Sequence, residues 1–266
     1  MNGKASHALA LAVSVLFAAP GLAHDTWVRA RGAATVGKAL VLDLTSGMAF
    51  PALETAIAPE RVARAGLRVG GRTSVVVPRR RARASLELVA TPEALGLAVV
   101  WVVLHPRTLS LTPEDVRSYL DEIGAPDVVR ERWRASGGKS WRERYVKHAK
   151  TFFATGSLES DPSWREPVGL TLEIVPESDP GALHAGDTLR VRVLRSGVGL
   201  AGFALGVAPA DGKASLVTTD AEGRASLILD RPGPLLLRGT ELRPSREAGL
   251  DWESDFTTLT LEVALR

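Results

Sequence analysis

Apolar and polar positions alternate along much of this chain. In residues 188–194, Leu189, Val191 and Val193 alternate with Arg190 and Arg192, and residues 170–175 repeat the pattern through Leu170, Leu172 and Ile174. A period of two places successive side chains on opposite faces of a strand, so both segments are predicted as half-buried strands. Residues 97–104 are apolar throughout, which predicts a strand buried on both faces. That run is far too short to cross a bilayer as a helix, which needs about 20 residues. Gly70 and Gly71 separate two β-like runs and predict a tight hairpin. Further strands are expected at residues 39–44, 85–89, 224–229 and 256–265.

The pattern changes at residue 111. Thr112 can cap a helix, Pro113 suits its first turn, and Glu114 and Asp115 face the positive end of the helix dipole. Gly124 stops that helix. A second helix is predicted over 127–135, ended by Gly137 and Gly138. Ser140 and Glu143 have the spacing of a capping box, which predicts a third helix running to residue 154. On it Trp141, Tyr145, His148 and Phe152 would share one face. The expected organisation is a leader (1–23), an N-terminal β domain (24–110), a helical segment (111–156), a linker (157–167) and a C-terminal immunoglobulin-like β-sandwich (168–266). The fold class is therefore mainly β, with two sandwich domains and helices between them.

Charge and cysteine content narrow the function. The chain has 33 basic and 30 acidic residues and no cysteine. The small excess of arginine does not make a polyanion-binding surface. Its densest stretch, Arg79, Arg80, Arg81 and Arg83, lacks interleaved aromatics and reads as a solvated hairpin loop, so no nucleic-acid partner is expected. Without cysteine there is no disulfide, thiolate site or lipid-modified cysteine. No G-x-S-x-G, H-E-x-x-H or glycine-rich phosphate loop is present, so the chain does not read as an enzyme. Asp220 to Gly223 reads as a β-turn rather than a calcium loop.

The start of the chain carries the clearest chemistry. Lys4, the apolar stretch 8–19 and Ala23 have the order of a cleavable secretory leader. Cleavage after Ala23 makes His24 the first residue of a 243-residue protein with no further membrane span. A terminal histidine offers its α-amine and imidazole together as a chelate for a divalent metal. Met48 is then the only methionine, so nitrogen and oxygen ligands point to nickel, cobalt, copper(II) or zinc rather than copper(I). His148 and His105 are the next candidate ligands, with Asp25, Glu122 and Glu143 as possible carboxylate donors. His184 falls in a loop and reads as solvated. Trp27 is expected to anchor the first strand behind His24.

The opening His24-Asp25-Thr26-Trp27-Val28 resembles that of a family of periplasmic proteins known as DUF4198. The resemblance continues through Leu109 to Glu114, Tyr119 to Gly124, Trp141 to Tyr145 with His148, Pro167 to Leu170, and Asp251 to Ser254. Gly199 to Gly202 with Thr218 to Arg224 is also similar, less specifically, to a repeat of carboxypeptidase-regulatory-like sandwich modules. The DUF4198 resemblance implies a periplasmic, metal-handling protein associated with nickel or cobalt uptake and a transporter of the inner membrane. The reading is a periplasmic divalent-metal binder, nickel first, with His24, His148 and His105 as ligands. The alternative is a metal-free sandwich module of the cell envelope that binds other proteins. A copper oxygenase using a terminal histidine pair ranks third.

Overall fold

A computed structural model describes residues 24–156 and 161–266. The leader 1–23 and residues 157–160 of the expected linker lie outside the described residues. Strands dominate. The first half contains β1 (Asp25–Ala30), β2 (Leu40–Gly47), β3 (Thr55–Ala56), β4 (Val62–Val69), β5 (Arg72–Val75), β6 (Val77–Arg81), β7 (Leu86–Ala90), β8 (Leu97–Leu104) and β9 (Arg107–Leu111). Helices α1 (Pro113–Glu122) and α2 (Asp127–Ala135) follow, then the long strand β10 (Trp141–Ala154). The second half contains β11 (Leu172–Pro176), β12 (Thr188–Arg195), β13 (Val198–Gly199), β14 (Ala204–Pro209), β15 (Ser215–Thr218), β16 (Arg224–Ile228), β17 (Gly233–Pro244) and β18 (Trp252–Val263).

These strands form three sheets. The central sheet has nine strands in the order β15-β14-β17-β18-β10-β8-β4-β5, with β9 also paired to β10. It therefore contains strands from both the N-terminal and the C-terminal β regions. A five-stranded sheet, β1-β2-β7-β6 with β3, buries Val28, Leu42, Leu44, Leu86 and Leu88 against Val100, Val102, Leu104 and Ala149 of the central sheet. The sheet of β11, β12, β13 and β16 buries Leu172, Leu189 and Val191 against Leu237, Leu259 and Leu261. Side-chain alternation puts these two sheets on opposite faces of the central one. Ala149 of β10 faces the N-terminal sheet, whereas the next-but-odd position Phe152 packs on the C-terminal core. The protein is a mainly-β sandwich, as its periodicity predicts.

The third helix does not form. Residues 141–154 are β10, which pairs in parallel with β18 from Glu143–Trp252 to Thr151–Thr260. Its other edge pairs with β9 along 141–145 and with β8 along 148–154. Cross-strand pairing on both edges overrides the local capping-box signal, since propensity is a weak prior beside tertiary context. Helical structure in 111–156 is thus confined to α1 and α2. There the sequence signals hold: Thr112 Oγ1 accepts from the Asp115 N–H at 3.2 Å and Asp115 accepts from the Thr112 N–H in return. Val116, Tyr119, Leu120, Val129 and Trp133 pack the two helices on Trp141, Trp252 and Phe256, on the same face of the central sheet as the N-terminal sheet. Gly70 and Gly71 make the β4–β5 turn with φ of +58° and +69°, the primed geometry that twists with its strands. The arginine run is not a loop as expected. Arg79, Arg80 and Arg81 lie in edge strand β6, and only Arg83 is in the turn beyond it.

Candidate functional site

His24 and Asp25 enter β1, which is held on several sides. Trp27 is fully buried with Phe50 edge-on at 5.6 Å. The Thr26 carbonyl accepts from Thr258 Oγ1 at 2.6 Å, which ties β1 across β18. The His24 carbonyl accepts from Lys147 Nζ of β10. Asp25 is ion-paired to Arg238 of β17 at 2.5 Å. Trp27 thus anchors the first strand, as its position implied.

Two cavities flank these residues. One, of 310 Å³, is walled by His24, Arg61, Arg81, Arg107, Tyr145 and Lys147 over a floor that includes Ala56, Ile57 and Leu104. The other, of 350 Å³, is lined by Asp25, Glu122 and Arg238 together with Leu216 and Phe256. Lys147 lies over the rings of Phe256 and Tyr145 at 5.4 and 5.8 Å. Burial pulls its ammonium down to about 8, against the favourable field of Asp25 and with the unfavourable field of Arg61. Burial raises the Asp25 carboxyl despite Arg238, and burial also raises Glu122. Burial and the neighbouring Arg107 lower Arg61.

The structure does not bring the three expected metal ligands together. Lys147, which holds the His24 carbonyl, and His148 are consecutive strand residues and point to opposite faces. His148 is buried on the far side, where its Nε2 bonds Asp255 Oδ1 at 2.9 Å and its Nδ1 has no partner among the described residues. Asp255 also accepts from Arg243 at 2.6 Å. Burial alone would raise Asp255, but His148 and Arg243 hold it below the usual carboxylate range. His105 is exposed just beyond β8; its carbonyl accepts from Arg61 at 2.6 Å, and its side chain does not line the His24 cavity. His184 is part-exposed beside Asp187. Among the described residues, no group of three His, Asp or Glu side chains is placed to hold a metal ion.

Glu143 is likewise not a free donor. It is fully buried, and it accepts from Tyr119 Oη at 2.9 Å and from Ser254 Oγ. Burial pushes it up to about 7 against those two hydroxyls. No local sequence window contains the cations of the His24 cavity, because they come from four separate elements: Arg61 from the 3-10 turn before β4, Arg81 from β6, Arg107 from β9 and Lys147 from β10. Only Arg81 stood out in the sequence, as part of the basic run.

The profile described as "Domain of unknown function (DUF4198)" matches residues 22–239. The chain belongs to the DUF4198 family. No curated protein matches it. The matched span of this DUF4198 chain contains every residue lining the His24 cavity and ends before β18.

Proposed function

We propose that the processed DUF4198 chain is a periplasmic binding protein for a divalent transition metal, nickel first, which it passes to an uptake transporter of the inner membrane. It binds rather than catalyses. Export follows from the leader-like start, and cleavage after Ala23 frees the His24 amine. One observation carries the reading. Residue 24 forms part of a cavity wall, its carbonyl held by Lys147 and its strand anchored by Trp27, which supports reading it as a held residue rather than a frayed end. The proposed ligand set contracts to the two nitrogens of His24. His148 and His105 drop out of it, being turned to the other face and outside the cavity respectively. Cobalt, copper(II) and zinc accept the same donors. A tight site needs ~4 ligands, so the metal retains donors of its own on His24.

Calorimetry of the processed chain with Ni(II) tests this. The expected result is saturable one-site binding, weakened at least tenfold, about 1.4 kcal/mol, when one alanine precedes His24 and turns its amine into an amide. Equal affinity with and without that residue, or no heat at all, overturns the metal reading and favours the metal-free interaction module.

A further inference from the structure

We propose that the His24 cavity is built to take a small, multiply charged carboxylate anion through Arg61, Arg81, Arg107 and Lys147. Among the described residues twelve line the cavity, and none is Asp or Glu. Among the described residues none of these four cations has a carboxylate within 4.0 Å, although arginines elsewhere in the molecule pair closely: Arg31 with Asp43, Arg144 with Glu253, Arg243 with Asp255. Arg61 and Lys147 are half-buried, where unbalanced charge is most costly, and Arg61 and Arg107 repel each other. Asp25 reaches Lys147 only through its field from outside this lining. Like charges gathered around a cavity with no acid in its described lining are the arrangement expected where a ligand supplies the opposite charge. Leader removal at residue 23 would add the His24 ammonium to the same wall.

The shape selects among anions. A guanidinium presents a planar fork that bonds a carboxylate with two parallel hydrogen bonds, and Lys147 adds a point charge. The 310 Å³ space is more than a single tetrahedral oxyanion fills. Ala56, Ile57 and Leu104 offer an apolar floor for a short carbon skeleton, and the Tyr145 hydroxyl is a further donor. These features fit a dicarboxylate or tricarboxylate. The anion binds without any metal, so this inference goes beyond the metal reading and does not depend on it.

The test is calorimetry of metal-free processed protein with citrate in 150 mM sodium chloride. One-site binding is expected, at least tenfold weaker in the Arg61→Gln/Arg107→Gln double variant and in Arg81→Gln, and unchanged in Arg224→Gln. Arg81 is exposed, so its variant folds even if loss of the Arg61 bond to the His105 carbonyl disturbs the double variant. Arg224 pairs with Glu177 on a different sheet. No saturable heat, or undiminished affinity in Arg81→Gln, overturns the proposal. Inorganic phosphate binding more tightly than citrate overturns the carboxylate class. Retained citrate binding beside a silent Ni(II) titration upholds this inference and removes the metal reading alone.

Discussion

The two faces of β10 treat charge in opposite ways. On the face turned to the C-terminal sheet, ionisable side chains are buried and paired: His148 with Asp255, Asp255 with Arg243, and Lys150 with Glu173 at 2.7 Å, where Glu173 also accepts three backbone N–H groups from Val168, Gly169 and Leu170. On the other face, Lys147 opens with Arg61, Arg81 and Arg107 onto a cavity with no acid among its described lining residues. A buried, paired network fixes one packing of the sheets, and within it only His148 Nδ1 is left without a partner among the described residues. On the cavity side Lys147 and Arg61 bond backbone carbonyls, of His24 and His105, but no carboxylate within 4.0 Å balances their charge among the described residues. Residue type alone would rank His148 above Arg61 as a functional residue; pairing reverses that order.

The paired face is the more fragile to substitution. Asp255→Ala leaves His148 and Arg243 without their shared partner, and the expected loss is about 3–5 kcal/mol in urea unfolding. Citrate and Ni(II) binding, measured where the variant is still folded, should not change; a binding loss with intact stability would place the site on the wrong face.

The next effect is set by pH. Glu143 sits at about 7 when folded and near 4.5 when unfolded. The folded state therefore holds the extra proton between those values, and stability falls as pH rises from about 4.5 through 7. At 1.36 kcal/mol per pH unit the full loss is roughly 3 kcal/mol. Glu143→Gln keeps an acceptor for Tyr119 and Ser254 and removes the titration. The variant should gain stability relative to the parent between pH 5 and 8 in thermal melts, and a pH-independent difference would refute the assignment.

The smallest effect belongs to the unpaired side. Arg107→Gln removes an exposed cation that repels Arg61, so stability should change by no more than about 0.5 kcal/mol, and in the favourable direction. A loss of more than 2 kcal/mol in the same urea titration would mean that Arg107 is structural.

Much of this fold was legible in the chain. The uniform apolar run at β8, the alternation at β12, the glycine pair at β4–β5 and the Thr112–Asp115 capping box each correspond to what forms, because local pattern and tertiary setting agree there. β10 was not legible. Glu143, His148 and Lys150 are buried polar residues that erase the period-two signal, while Trp141, Tyr145, His148 and Phe152 happen to match a helical spacing. What makes the segment a strand is its pairing with residues 97–111 and 252–260, which no local window contains. For the same reason the His24 end of the site was visible, as a local feature of the leader junction, and its cations were not, being assembled from distant elements.

The most direct test is crystallography of the processed protein with Ni(II) and citrate, using an anomalous difference map at the nickel edge. One nickel peak is expected on the amine and imidazole of His24, with carboxylate density reaching Arg61, Arg107 and Lys147. A peak on His148 or His105, with the His24 cavity empty, would contradict it.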